Sequence, residues 1–242
     1  MKRTLGMLTT GAAIALASTT ASAQTPRLSV SFDIGANVAV TGDVHGGGTG
    51  SVLTLPTTVE SRSYGDIYGA QTDWALGLGV LTGPSGEVRV RVFRTTGSAD
   101  RVQVGDVATL PLFAQFDDYK ATGVDFGYRQ YYGAETGARP FAGASIGFLR
   151  VDAIDAEFTV PAAAVTLSNV PMYDKSTVAT FSLSGGVQYL FTPNVGLQGG
   201  IDFRWHGNLD PIDGLAGTGL ESINDKSRRW SLPVTVGAVV RF

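Results

Sequence analysis

Residues 230–242 read WSLPVTVGAVVRF, and they set Trp230, Leu232, Val234, Val236, Ala238, Val240 and Phe242 on one side. Ser231, Pro233, Thr235, Gly237, Val239 and Arg241 fall on the other. Alternation with period two marks a β-strand with one apolar face. The stretch closes on Phe242 with no polar tail, so its apolar face has to be covered by something other than water.

The same pattern recurs along the chain. Leu28–Val40 sets Leu28, Val30, Phe32, Ile34, Ala36, Val38 and Val40 against Ser29, Ser31, Asp33, Gly35 and Asn37. A second run, Tyr68–Val80, sets Tyr68, Ala70, Thr72, Trp74, Leu76, Leu78 and Val80 against Gln71, Asp73 and glycines. EVRVRVF (87–93) opposes three valines to Glu87, Arg89, Arg91 and Phe93. In the fourth run Val124, Phe126, Tyr128 and Tyr132 oppose Asp125, Gly127, Arg129 and Tyr131. RPFAGASIGF (139–148) is the fifth. Phe181–Phe191 and Leu197–Trp205 make the sixth and seventh, with Gln188, Gln198, Asp202 and Arg204 on their polar side. The stretch 230–242 is the eighth.

Two features of the chain restrict what encloses these strands. The segment MKR, the apolar TLGMLTTGAAIALA and ASA at 21–23 predict a signal peptide over residues 1–23, exported and removed, with a mature chain over 24–242. No other stretch is apolar and long enough for a membrane helix. The protein has no Cys, 32 Gly and only 16% charged residues. With Lys2 and Arg3 removed, acidic residues outnumber basic ones further, which excludes nucleic acid as a partner because that requires a basic face. A membrane protein without membrane helices is a closed β-barrel, since lipid offers backbone groups no hydrogen-bond partners.

The connections sort by length. LTGPSG, AETGAR and TPN are short, whereas those joining runs 1–2, 3–4, 5–6 and 7–8 are long. Short periplasmic turns alternating with long extracellular loops are the rule for outer-membrane barrels. That order sends Tyr68, Trp205 and Trp230 to an outer interface belt and Tyr132, Tyr189, Phe191 and Phe242 to a periplasmic one. A soluble barrel of the lipocalin kind is the rival, with apolar residues inside and polar ones outside. Here the polar face is mostly Gly, Ser and charge, too small to pack a dry core. The expected fold is all-β: an eight-stranded antiparallel transmembrane barrel, an up-and-down meander.

The inward face carries Asp33, Asp73, Glu87, Asp125 and Asp202 with Arg89, Arg91, Arg129, Arg204 and Arg241. Five acids facing five bases predict a salt-bridged plug in a lumen about as wide as its side chains. A narrow ion or small-solute channel, gated by these groups, is the alternative. Arg94 and Arg150 share the outward parity but stand at outer strand ends, where long side chains snorkel.

RPFAGASIGF, GGVQYLFTPNVGLQGGIDFRW and the closing VGAVVRF resemble the small eight-stranded outer-membrane barrels of the outer membrane protein A, opacity-protein and porin-like group. The resemblance implies a Gram-negative envelope protein, with adhesins and structural barrels among its relatives. It also implies that Phe242 is part of the signal read by the barrel-assembly machinery. The resemblance is to the barrel alone, so the peptidoglycan-anchoring role of longer relatives is not expected.

Catalytic candidates are few. FRWHGNLD resembles the setting of the lipid A 3-O-deacylases, which use a His followed two residues later by Ser. Here His206 is followed by Asn208, which lacks a nucleophilic oxygen. His206 beside Trp205 reads as an interface residue, and His45 in VHGGGTG has no visible partner. GGGTG (46–50) reads as a flexible loop tip, because no Gly-Lys-Ser/Thr follows. DAIDAE (152–157) lacks calcium-loop spacing and reads as a solvated acidic rim.

No cofactor, metal site or catalytic residue is expected. All four long connections sum to a net negative charge, which fits bridging to lipopolysaccharide through divalent cations or plain solubility. VATLPLFAQF and FTVPAAAVTLSNVPMY are less polar than solvated loops, so the hairpins continue as strands above the membrane or these segments pack as a cap. The expected function is a non-enzymatic surface barrel serving envelope structure or adhesion, with a lipid A-modifying enzyme as a further alternative. Its expected partners are outer-membrane lipid, the assembly machinery and a surface partner of unknown kind, and it is expected to be a monomer.

Overall fold

The structure, a computed structural model, describes residues 28–242 apart from positions 53, 213 and 226. The signal peptide expected over 1–23 lies outside the described residues. The strands in chain order are β1 (Leu28–Thr41), β2 (Asp43–His45), β3 (Gly48–Val52), β4 (Leu55–Val59), β5 (Arg62–Ser63), β6 (Gln71–Leu81), β7 (Gly86–Gly97) and β8 (Val102–Val107). They continue with β9 (Leu110–Phe116), β10 (Tyr119–Tyr131), β11 (Gly137–Val151), β12 (Ile154–Val160), β13 (Val165–Tyr173), β14 (Ser176–Leu190), β15 (Val195–His206) and β16 (Arg229–Arg241). A short helix, α1 (Tyr64–Tyr68), precedes β6.

Eight of these strands close into a barrel in the order β1-β16-β15-β14-β11-β10-β7-β6, every pair antiparallel. The seam lies between β1 and β16, with Ser29 opposite Arg241 and Asp33 opposite Gly237. Leu28 and Phe242 finish it by exchanging backbone bonds, N to O 2.8 and 3.2 Å. Closure leaves no strand edge to seek a partner.

The two faces follow the alternation. Ile146, Phe148, Phe126 and Val236 point outward and are more than half exposed, and the other large apolar residues of this face, such as Phe32, Leu76, Leu183 and Leu197, are exposed as well. Ser29, Asp33, Asp73, Arg91, Asp125 and Ser182 point inward and are buried. An apolar belt around a polar interior is the arrangement of a transmembrane barrel and the inverse of a soluble one. Arg94 and Arg150 are exposed at the outer ends of β7 and β11.

The first three long connections each contribute a hairpin to a second sheet, ordered β13-β12-β9-β8-β4-β3. Thr57 of β4 pairs with Val107 of β8, and Phe116 of β9 pairs with Ala156 of β12. Gly105, at φ +153°, makes the first of these seams, because a Cβ there would stand 1.9 Å from the Thr58 carbonyl. The fourth connection, residues 207–228, then ties the two edge strands together. On the β3 side the Ser51 amide bonds the Thr218 carbonyl (2.7 Å) and the Gly46 amide the Ile223 carbonyl. On the β13 side the Ile212 amide bonds the Met172 carbonyl (3.0 Å), and Asn224 Nδ2 donates to the carbonyls of Met172 and Ile212. The result is a curled cup outside the membrane. Both expectations for the long connections therefore hold together: the hairpins continue as strands, and they pack as a cap.

Three local readings are corrected. β6 begins at Gln71, not Tyr68, because Ser63 and Asp66 form a capping box that starts α1. Tyr68 sits in that helix, 3% exposed against Tyr64 and Tyr119, so it is no member of the lipid-facing belt. GGGTG is no flexible tip, since residues 48–52 form β3.

Candidate functional site

The inward positions of the barrel converge on one chain of charge. Arg91 holds Asp125 through Nε and Nη2 (3.0 and 2.8 Å) and reaches Asp202 through Nη1 (2.7 Å). Arg204 takes the same Asp202 oxygen (3.1 Å) and Asp73 (3.3 Å), to which the Thr95 hydroxyl also donates (2.7 Å). Asp125–Arg91–Asp202–Arg204–Asp73 is thus a continuous buried network.

The remaining predicted charges join through neutral groups. Glu87 accepts from the hydroxyls of Ser29 and Tyr131, the latter at 2.6 Å. Asp33 accepts from Gln198 Nε2 (2.6 Å), whose Oε1 accepts from Arg129 (2.9 Å). Arg241 donates to Gln188, and Arg129 lies 3.8 Å from the centre of the Phe141 ring. Arg89 is buried, yet its Nη2 has no hydrogen-bond partner among the described residues.

Five acids against five bases is corrected by two further arginines on the inward face. Arg139, 1% exposed, stacks 4.6 Å from the Tyr131 ring and donates to the Pro84 carbonyl. Arg229, 2% exposed, lies 4.0 Å over Tyr119 and 5.2 Å from Tyr64. Their cations are met by aromatic faces rather than carboxylates, which serves a desolvated guanidinium well. Parity carried the signal for both: Arg139 shares the side of Gly143, and Arg229 that of Ser231. Two voids of about 10 Å³ each lie among these groups, each about the room of one water.

His206 is also corrected. It faces the lumen, 2% exposed, with Nε2 3.2 Å from Ser231 Oγ, and is not an interface residue. Its Nδ1 has no hydrogen-bond partner among the described residues, so no carboxylate orients the ring as a base. Asn208 is occupied as acceptor of the Arg228 amide (2.9 Å). His45 is buried in β2, stacked 5.7 Å from Phe116, with Nδ1 3.0 Å from the Gly46 carbonyl. Burial holds its pKa below the ordinary 6.5, with nearby Arg62 adding to the effect while the Gly46 carbonyl and Asp43 oppose it.

The remaining belt residues stand on the outer surface. Trp205 and Trp230 face each other across β15 and β16, and Trp230 stacks on Phe203 with centroids 4.5 Å apart. Tyr132, Tyr189, Phe191 and Phe242 are exposed at the opposite rim.

Above the barrel, the cup encloses a cavity of about 450 Å³. Val59, Leu112 and Phe158 of the sheet and Leu220 and Ile223 of the fourth connection wall it, all buried. Its existence depends on pairings between separate connections, for which the sequence offered only the low polarity of those segments. A separate groove is lined by Asp117, Asp118, Asp152, Asp155 and Glu157 with Lys120, which meets Asp118 at 3.7 Å, while Asp152 also meets Lys175 at 3.2 Å. Among the described residues no group of three or more His, Cys, Asp or Glu side chains is placed to hold a metal ion.

A closed eight-stranded sheet with a lipid-facing apolar wall and a charged, packed interior defines the class: a small outer-membrane-type β-barrel. Among solved structures the chain is similar to Neisserial surface protein A at 16% identity and TM-score 0.48, covering 89% of this chain and 97% of that one. It is similar to the outer membrane protease OmpT from Escherichia coli at 10% identity and TM-score 0.45, over 92% and 99% of the two chains. For the outer membrane protein OprG from Pseudomonas aeruginosa the values are 12%, 0.42, 90% and 97%. No family model and no curated protein matches the chain.

Proposed function

We propose that this protein is a non-enzymatic barrel of a bacterial outer membrane whose work is done by its extracellular cup. The observation that carries this reading is the shared sheet: three separate connections pair strand to strand, and a fourth ties their edges. Connections of that length without a task would be solvated and variable in shape, whereas these are ordered at the cost of chain entropy. A rigid platform held away from the bilayer suits contact with a surface partner or with neighbouring envelope components. The lumen charges are structural in this reading, joining the barrel wall from inside.

The test is to display the wild type and variants lacking one cup hairpin (48–59, 102–116 or 154–173) at equal surface levels. Adhesion to host matrix and to other cells is then scored beside detergent sensitivity. Loss of adhesion with every hairpin deletion supports the reading. Unchanged adhesion and envelope integrity, with the barrel correctly inserted, would overturn it.

A further inference from the structure

The barrel is a closed sheet and the cup an open one whose edges the fourth connection ties, and their interiors are built on different principles. In the lumen, side chains from opposite walls meet and bond, as Arg91 and Asp202 do. In the cup, opposed apolar walls stand around about 450 Å³, within the roughly 300–1,000 Å³ typical of small-molecule sites.

The wall chemistry selects the ligand. Among the described residues no ionisable side chain lines the cavity. Three of its four hydroxyls are spent within the protein: Thr57 donates to the Leu55 carbonyl (3.2 Å), Thr218 to the Leu215 carbonyl (2.6 Å) and Ser168 to Glu157 (3.0 Å), while the fourth, on Thr166, is exposed at the hairpin tip. A polar or charged group entering would lose its water and gain no partner, which is costly, whereas an apolar chain gains by leaving water.

The mouth fixes the direction of entry. The β3–β4, β8–β9 and β12–β13 turns, all lining the cavity, are the hairpin ends remote from the barrel rim. Leu55 and Leu167 stand there 48% and 38% exposed, while the deeper Val59, Leu220 and Ile223 are buried. Entry is therefore from the aqueous side and not from the bilayer.

We propose that the cup is a binding site for one alkyl chain of a free, uncharged single-chain amphiphile. The chain inserts tail-first between the hairpin tips, and the headgroup remains in water. Binding here needs no property of the lumen, and it stands whether or not the outside of the cup also meets a surface partner.

The chain has no Cys, so Ala162→Cys at the exposed rim accepts a single environment-sensitive fluorophore. The labelled protein is placed in phospholipid nanodiscs free of detergent and titrated with 1-dodecanol, with 1-butanol and with lipopolysaccharide. The expected result is a saturable response to 1-dodecanol above the partition into protein-free discs, and none to 1-butanol. Val165→Trp, which fills the mouth, is expected to weaken binding at least about tenfold. Leu55→Asp, at an exposed position that leaves the fold undisturbed, is expected to do the same by placing charge at the entrance. Heat-modifiable gel mobility verifies that each variant is a folded barrel. A response that never saturates, wild-type affinity in both folded variants, or a response to lipopolysaccharide alone would each overturn the proposal.

Discussion

Arg91 on β7 reaches across the lumen to Asp202 on β15, with Nη1 2.7 Å from Oδ2, while the same guanidinium holds Asp125 on the adjacent β10. One side chain therefore ties strands that lie apart in the barrel. Removing one member of a buried ion pair strands the other charge, which typically costs about 3–5 kcal/mol. Arg91→Leu is expected to lower barrel stability by about that amount. Arg204→Leu is expected to act similarly, and Ser145→Ala, outside the ion pairs, by much less. Urea unfolding of barrels reconstituted in lipid vesicles measures all three. Equal midpoints for wild type and Arg91→Leu would refute the role given to the network.

The lumen's conductance follows from the same contacts. Its charges are bridged across the axis, and the two voids described among them each have room for about one water. Wild-type protein in planar bilayers is expected to show no large, stable open state. The double substitution Arg91→Ser with Asp202→Ser removes the crossing pair and is expected to introduce small conductance steps. A large wild-type conductance would instead favour the channel reading.

The cup carries its own pH dependence. His45 has a folded-state pKa below its unfolded value, mainly because burial against Phe116 disfavours the cation. Between the two values the unfolded segment binds more protons than the folded one, so stability rises with pH there. The contribution is complete above about pH 6.5 and is lost as pH falls through that value toward the folded pKa. Relative to its cleavage of an unstructured peptide at the same pH, trypsin cleavage within the cup is expected to accelerate on going from about pH 7.5 to about pH 5.5. His45→Phe, which keeps the stacking and removes the titration, is expected to flatten the response. A cleavage rate that changes equally in both proteins would refute the assignment.

The barrel was legible because its information is local: a period of two over a dozen residues, interrupted by turns. Ile146 and Phe148 face outward and Asp125 and Arg129 inward for no reason beyond parity. Tyr68 was misplaced because its alternation with Ala70 and Thr72 is coincidental, and the Ser63–Asp66 capping box outweighs it. Arg139 and Arg229 were missed at strand ends, where an alternation begins one or two residues before its apolar members reveal it. The cup lay beyond such reading. Its sheet pairs Thr57 with Val107 and Phe116 with Ala156, segments brought together only after the barrel has set their bases side by side.

Phe242 joins two roles that a truncation separates. Its ring is 63% exposed on the periplasmic rim, so it packs against lipid and little else. Its backbone exchanges hydrogen bonds with Leu28, closing the first and last strands. Two such bonds at a rim contribute about 0.5–1.5 kcal/mol each, a modest share of the stability of a closed barrel. We propose a second role for the ring, recognition by the assembly machinery before the seam forms, which the resemblance to the small outer-membrane barrels implies. Deleting Phe242 is therefore expected to reduce the amount of inserted barrel strongly and to shift the unfolding midpoint of inserted barrels only slightly. Phe242→Ala, which keeps the backbone bonds, is expected to reproduce the insertion defect without the midpoint shift. Quantifying heat-modifiable barrel in isolated outer membranes, beside urea unfolding of the same material, separates the two effects. Wild-type levels of inserted Phe242→Ala would show that the ring is not read during assembly.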